Sequence, residues 1–189
     1  MNIQEIQIKE TTEKDLNDIL KVQSIGFGYD KEAELTARLL ADKTAEPHLS
    51  LLAFYEGEAV GHILFTKAHI EGDEENTVVH ILAPLAVIPA FQKMGIGGLL
   101  IKHGLDILKK RGSKMVFVLG HKEYYPRHGF VQNAQGMGYP PPLPRPVPAE
   151  HADYWMVYRL TDEPAAQGRI ICADTLYEIE HWREDEGDR

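Results

Sequence analysis

This chain has a single cysteine, and it lacks long apolar runs and an excess of basic residues. Its single cysteine, Cys172, cannot form an internal disulfide or a cysteine-based zinc cluster, so we interpret it as a small core residue in a reducing compartment. The longest apolar run, residues 81–91, contains two prolines and is too short to span a bilayer. The first ten residues show no secretion signal. We therefore expect a cytoplasmic protein with no membrane association.

The charge balance is acidic, with 20 Lys and Arg against 29 Asp and Glu and a net charge of −9 at pH 7. Proteins that bind a phosphate backbone usually carry the opposite excess, so we expect no nucleic-acid partner. An acidic surface favours amine-bearing partners instead. The nine histidines form no His-Glu-x-x-His pattern and no paired ligand motif. We therefore expect no metal site.

The length of 189 residues fits a single domain. Residues 1–160 carry the strong strand and helix patterns, and we interpret residues 161–189 as an extension packed on the same domain. The run 139–148 has too few N–H groups for a helix or a strand ladder, so it predicts an extended loop. The tail after Asp162 also leaves open a homodimer formed by exchange or packing between subunits.

Hydrophobic periodicity predicts a chain of strands and helices. Strand patterns occur near residues 3–8, 49–55, 59–70, 77–87, 114–119 and 154–160, with weaker ones at 130–131 and 169–173. Helices are predicted after a capping box of Thr12 and Asp15, over residues 31–42, from Ile96 to a basic last turn, and over 122–128. The strand, helix and strand over 77–119 imply a parallel pair with a right-handed crossover.

The most informative segment is the turn at residues 92–98, Gln-Lys-Met-Gly-Ile-Gly-Gly, between a strand and a helix. Free N–H groups and the positive helix end converge there, which favours an anion, and Lys93 adds positive charge. Glycines at 95 and 97 let a phosphate approach the backbone. The dinucleotide-binding fingerprint requires a third glycine at position 100, where this chain has Leu100. The Gly-Lys-Ser/Thr sequence of the nucleoside-triphosphatase loop is also absent. A tight turn without a ligand is the alternative.

Two motifs together resemble the GNAT N-acetyltransferase superfamily. The first is a strand ending Leu85-Ala86-Val87-x-Pro89 followed by Gln92-x-x-Gly95-x-Gly97, and the second is Tyr125-x-x-x-Gly129-Phe130. The resemblance is sharpest over residues 80–130 and extends by pattern over 3–160. It implies a mixed α/β fold, the acyl-CoA N-acyltransferase fold, with a six- or seven-stranded sheet flanked by helices. Acetyl-CoA would lie in the cleft between two parallel strands.

The resemblance also implies which residues hold acetyl-CoA. Main-chain groups of Leu85, Ala86 and Val87 would pair with the pantetheine arm like an added strand. The pyrophosphate would be held by the main-chain N–H groups of Gln92, Lys93, Met94, Gly95, Ile96, Gly97 and Gly98. His121 stands where many members of the superfamily have asparagine, so the resemblance assigns it no role.

Acyl transfer to an amine needs a neutral nucleophile, stabilisation of charge on the carbonyl oxygen and a proton for the departing thiolate. The resemblance implies Tyr125 as the general acid, and simple cofactor packing is the alternative. The N–H of Val87 is the candidate donor to the thioester carbonyl. His80 is the candidate base, acting through water, with a structural role in the core as the alternative. Tyr124 is predicted to be a packing aromatic.

The function implied is an N-acetyltransferase that moves an acetyl group from acetyl-CoA to a primary amine of a small-molecule or peptide acceptor. We expect Phe27, Tyr29 and the proline-rich loop 139–148 to line the acceptor cleft. A non-catalytic acyl-CoA-binding sensor, or a subunit of a complex that keeps this fold, is the alternative function.

Overall fold

The computed structural model describes residues 2–142 and 147–177. Within these residues, the strands are β1 (Gln7–Glu10), β2 (Leu49–Tyr55), β3 (Glu58–Ile70), β4 (Val79–Val87), β5 (Met115–Leu119), β6 (Trp155–Arg159) and β7 (Ile170–Ile171). The α-helices are α1 (Leu16–Phe27), α2 (Lys31–Ala41) and α3 (Ile96–Lys110). The sheet runs in the order β1-β2-β3-β4-β5-β6, and β7 pairs with β3.

The pairing of the strands confirms the mixed sheet. Among the strands of the described residues, only β4 and β5 pair in parallel, through the α3 crossover, and the other pairs are antiparallel. Seven strands agree with the predicted six or seven. Within the described residues no helix is both long enough and apolar enough to cross a bilayer.

Several element boundaries differ from the sequence predictions. Ile3–Glu5 forms a 3-10 turn, so the first strand begins at Gln7. The helix predicted at 122–128 is reduced to a 3-10 turn at Tyr125–His128, which ends at a left-handed glycine. The extended piece at 130–131 forms one bridge, from Val131 to Val157, because Asn133 with φ 59° turns the chain away.

The helices cover opposite faces of the sheet because side chains alternate along each strand. On β3, Ile63 and Phe65 join the cluster under α3, whereas Leu64 joins the cluster under α2. A smaller cluster places Ile19 and Val22 of α1 against Ala86 of β4 and a leucine of β2. The carboxyl end of β4 is therefore held between α1 and α3.

The strand β4 carries the feature that opens the sheet. Ile63 pairs with Leu85 and Phe65 with Leu82, so β4 has one extra residue in a bulge at Ala83 and Pro84. Proline is suited to a bulge because it has no N–H to donate to a ladder. Pairing with β5 stops at Ile81 and Phe117, although both strands continue. Beyond Ile81, β4 and β5 diverge and leave a cleft.

Candidate functional site

Three hydrogen bonds fix the turn that follows β4. The N–H of Ile88 donates to the carbonyl of Val60 at 3.0 Å, and the N–H of Phe91 donates to the carbonyl of Ile88 at 2.9 Å. The side-chain amide of Gln92 donates to the carbonyl of Val87 at 2.9 Å. This last bond ties the first residue of the glycine motif to the last residue of β4. The two parts of the predicted cofactor site are thus held at a fixed separation.

The start of α3 presents a set of unused donors. Gly95 has φ 89°, and α3 begins at the next residue. The first helical bond runs from the N–H of Leu99 to the carbonyl of Gly95 at 3.0 Å. Across the described residues, none of the main-chain N–H groups of 93–98 donates to a protein acceptor. Six such donors, in the turn and at the N-terminus of α3, are an arrangement that can bind an anion.

The residues predicted to bind the pantetheine arm lie on the diverging part of β4. These three residues pair with β3, Leu85 with Ile63, Ala86 with His62 and Val87 with Gly61. One edge of this part of β4 is therefore occupied by β3. The other edge faces the cleft and has no strand partner among the described residues. An extended ligand with amide groups can pair with such an edge as an added strand.

Tyr124 packs against the hydrophobic cluster under α3, as predicted, and its hydroxyl also lies against the glycine motif. A Cβ atom at Gly97 would lie 2.3 Å from the Tyr124 hydroxyl oxygen, and one at Gly98 would lie 2.7 Å from Cε1 of His128. The Tyr124 and His128 rings contact each other, with centroids 4.9 Å apart. Burial, and then the charge of Arg127, lower the pKa of His128. A side chain at position 97 or 98 would prevent Tyr124 and His128 from lying this close to α3. The two glycines of the motif were therefore a sequence signal for this contact.

Tyr125 lies in the core beside the end of β5. Tyr125 is 9% exposed, and its ring contacts Phe130 edge-on at 5.6 Å between centroids. A Cβ atom at Gly120 would lie 2.5 Å from Cε2 of Tyr125, so glycine makes room for the ring. Burial, and then the neighbouring Tyr124, raise the pKa of the Tyr125 phenol. The phenol is therefore fully protonated at neutral pH.

His80 occupies a structural position, which argues against the predicted role as base. It pairs with Val116 in the part of β4 that still contacts β5, five residues before Leu85, or about 16 Å along the strand. Its Nδ1 lies 2.9 Å from Oγ of Ser113, and its Nε2 lies 3.2 Å from the carbonyl of Pro47. Burial lowers the pKa of His80 to about 4, so the ring is neutral and both nitrogens are used.

Phe27 and Tyr29 lie together where α1 ends. Their ring centroids are 6.0 Å apart, and Tyr29 is 42% exposed. Phe27 packs against the cluster that contains Ala86, so the pair borders the diverging end of β4. Of the proline-rich loop 139–148, residues 143–146 lie outside the described residues.

The segment before β7 holds the start of the proline-rich loop, a role that the sequence did not indicate. The N–H of Gly168 donates to the carbonyl of Gly138 at 3.0 Å, and the N–H of Ile170 donates to that of Pro140 at 2.9 Å. The Arg169 guanidinium donates to the carbonyl of Pro141 at 2.9 Å. Residues 138–141 are thus attached to β7, which pairs with β3. Within the described residues, no group of three or more His, Cys, Asp or Glu side chains could hold a metal.

Comparison with known proteins decides the family. The sequence model of the Acetyltransferase (GNAT) family matches residues 14–137. The chain belongs to the GNAT acetyltransferase family. It is 50% identical to the uncharacterized N-acetyltransferase YjhQ of Escherichia coli strain K12 over 175 residues, which cover 92% of this chain and 96% of YjhQ. This GNAT chain is accordingly an acyltransferase, as the two motifs had implied.

Two solved GNAT structures resemble this chain along nearly its whole length. The structure of YhbS from Escherichia coli in complex with CoA superimposes with a TM-score of 0.80 at 26% identity, covering 91% of this chain and 92% of YhbS. A GNAT acetyltransferase from Brucella melitensis in complex with acetyl-CoA gives a TM-score of 0.70 at 28% identity, covering 90% of this chain and 97% of that one. These similarities confirm the predicted fold class.

Proposed function

We propose that this GNAT chain binds acetyl-CoA in the cleft between β4 and β5 and transfers the acetyl group, by direct attack, to a primary amine of a small-molecule or peptide acceptor. The observation that carries this proposal is the set of six unused main-chain N–H groups of residues 93–98, beside the unpaired edge of β4. The Escherichia coli and Brucella structures, which hold CoA and acetyl-CoA, support this choice of ligand.

Acetyl-CoA would contact the chain at two places in the cleft. The edge of Leu85, Ala86 and Val87 would accept the amides of the pantetheine arm, and residues 92–98 would hold the pyrophosphate, with the exposed Lys93 adding positive charge. Tyr124 and His128 would line the diphosphate side, because both reach the first turn of α3. When bound, acetyl-CoA supplies the activated acetyl thioester.

Val87 is the residue that we assign to the thioester carbonyl. Val87 ends β4 in register with Gly61. The carbonyl oxygen of Val87 accepts a hydrogen bond from the Gln92 side-chain amide at 2.9 Å. A main-chain N–H in a braced strand needs no reorganisation when negative charge develops on the carbonyl oxygen. Val87 would therefore lower the barrier to attack without moving.

We assign Tyr125 as the general acid. Burial raises the pKa of its phenol, which keeps the proton available but makes its release less favourable. The same surroundings would also raise the pKa of a departing thiol, because burial disfavours the thiolate as it does the phenolate. A rise in the thiol pKa offsets the rise in the phenol pKa, so proton transfer from Tyr125 does not become less favourable by the whole of the Tyr125 shift.

The acceptor would enter beside Phe27 and Tyr29. Phe27 packs on the cluster that includes Ala86, and the exposed Tyr29 ring extends from it. The segment 137–142 would form the opposite wall, braced by β7. Aromatic faces attract ammonium groups, so this pair would bind the amine in its charged form. The ammonium group would release a proton to water before the neutral amine attacks the thioester.

The test is an assay of thiol release with purified full chain and acetyl-CoA. A panel would contain a polyamine, an aminoglycoside, a lysine peptide and a peptide with a free N-terminus. We expect at least one of these amines to increase thiol release, and its N,N-dimethylated analogue, which cannot form a stable amide, to leave the rate at background. Tight CoA binding without amine-dependent release across the panel would favour the sensor, and absence of CoA binding would overturn both functions.

A further inference from the structure

A second cavity lies on the side of α1 that faces the β2–β3 hairpin. Its volume is about 330 Å³, within the lower range for sites that bind small molecules. The walls are apolar and aromatic, formed by Val22, Ile25, Val60, Ile88, Tyr55 and Phe91. The Tyr55 and Phe91 rings contact each other at 5.5 Å between centroids. We call this space the side cavity.

Two carboxylates and one ammonium group are among the residues that line the side cavity. Glu56 and Glu58 line it directly, opposed by Lys21 as the basic group of the lining. Lys21 lies 3.9 Å from Glu58, and both side chains are more than half exposed, so this pair contributes little and leaves Glu58 available. Partial burial, and then the charges of Glu56 and Glu5, raise the pKa of Tyr55. With two carboxylates against one ammonium group, the lining of the side cavity has one excess negative charge.

The side cavity is separated from the cofactor cleft by α1. A Cβ atom at Gly26 would lie 2.9 Å from Cβ of Ala86 and 3.4 Å from N of Val87, so the helix backbone lies directly on β4. The side cavity nevertheless shares a wall with the cofactor turn, because Ile88 and Phe91 line the cavity. The residue after Phe91 is Gln92, whose side-chain amide donates to the carbonyl of Val87. An occupant would press on the turn without reaching the predicted thioester position.

We propose that the side cavity is an effector site for a small organic amine with an apolar or aromatic body, and that its occupation changes the affinity of the chain for CoA. The body would contact Tyr55 and Phe91, and the ammonium group would face Glu56 and Glu58. Binding in the side cavity does not depend on the proposed acetyl transfer. The coupling to CoA does rest on the cofactor site assigned above.

The probe is 2-phenylethylamine, titrated calorimetrically into the full chain. We expect it to bind at least fivefold more tightly than 2-phenylethanol, which has the same body without the ammonium group. The E56Q/E58Q double variant should weaken amine binding at least tenfold. The E74Q/E75Q variant, which changes the net charge equally in the exposed β3–β4 turn, should leave it unchanged. As a second measurement, A59L should weaken both probes by filling the cavity.

The coupling is tested by measuring CoA affinity with and without saturating 2-phenylethylamine. We expect at least a threefold change in the wild-type dissociation constant and none in E56Q/E58Q, since coupling between two sites requires that both be occupied. Equal binding of the amine and the alcohol, full affinity in E56Q/E58Q, or no binding by the wild type would overturn the site. Amine binding with an unchanged CoA affinity would overturn the coupling alone. Failure of the thiol-release assay would leave the binding result standing.

Discussion

Nε2 of Gln23 lies 2.7 Å from Nδ1 of His62, and both side chains are fully buried between α1 and the sheet. The other ring nitrogen of His62 lies 2.9 Å from Oγ of Ser50, which accepts a hydrogen bond from Thr11 at 2.7 Å. Because His62 pairs with Ala86, this polar chain fastens α1 to β3 beside the cofactor strand. Burial lowers the pKa of His62 to about 3, so the ring stays neutral.

The buried His62 predicts a pH dependence of stability. Its pKa is about 3 in the folded chain and about 6.5 when unfolded, so the unfolded state binds more protons between these values. The contribution of His62 to the free energy of unfolding is fully present above pH 6.5 and decreases as the pH falls toward 3. Urea unfolding at several pH values should show this decrease in the wild type and a smaller one in H62Q.

The matched control for this prediction is H103Q, since His103 is exposed on α3. H103Q should follow the wild-type pH dependence. A difference between the wild type and H62Q that is constant from pH 7.5 to 4 would contradict the assignment of the proton uptake to His62. If H62Q does not fold, the free energy of unfolding of the wild type must still decrease as the pH falls below 6.5.

Gly95 should be needed for cofactor binding beyond its effect on stability. An alanine there would adopt φ 89°, at a cost of about 1–2 kcal/mol, and its Cβ would lie 2.8 Å from Cδ1 of Ile3. We expect G95A to lower the unfolding free energy by about that amount and to weaken CoA binding at least tenfold, measured by calorimetry. G112A carries the same strain at φ 85° with nothing near its Cβ, so it should lose stability and keep CoA affinity.

Tyr125 and Tyr124 should have separable roles. Removing the hydroxyl in Y125F should lower kcat at least tenfold, because general acids contribute about 10²–10⁴, while the CoA dissociation constant changes less than twofold. Y124F removes the same atom one residue earlier, beside Gly97, and should weaken CoA binding while retaining kcat. The measurement is steady-state thiol release together with CoA titration. An unchanged kcat in Y125F would remove Tyr125 from the acid role.

Asp42 should hold the C-terminal segment on the domain. Its carboxylate accepts from the N–H and hydroxyl of Thr175, at 3.0 and 2.8 Å, and from the N–H and hydroxyl of Thr44, at 2.8 and 2.6 Å. Desolvation raises the pKa of Asp42, but the hydrogen bonds from Thr44 and Thr175 together lower it to about 2. This stabilisation is therefore present above pH 3.8 and is lost as the pH falls toward 2.

We expect D42A to decrease the unfolding free energy by about 1–3 kcal/mol and to make the peptide bonds after Asp162 more accessible to limited proteolysis. D73A removes a comparable carboxylate that bonds only within its own turn, to Glu75 and Thr77. It should cost less stability and leave that proteolysis unchanged. Equal cleavage of D42A and the wild type would show that Thr175 and Asp42 do not secure the segment.

The sequence by itself determined what is local: strand and helix periods, the glycine turn before α3, and the order of the two motifs that resemble the GNAT superfamily. Gly95 is an example, because a backbone with positive φ before a helix favours glycine regardless of the remaining contacts. Those signals were sufficient for the fold class and the family, and for the extended run of β4 ahead of the turn.

Only the tertiary structure decided which side chain of a pair faces which neighbour. Tyr124 and Tyr125 are adjacent in sequence, yet Tyr124 reaches Gly97 of α3 while Tyr125 packs against Phe130. His80 became a structural residue because Ser113 and Pro47, both distant in sequence, supply its hydrogen-bond partners. Likewise, the strand predicted at 169–173 is limited to Ile170–Ile171, because only these two residues pair with β3 among the described residues. Such contacts join residues far apart along the chain, and no local pattern encodes them.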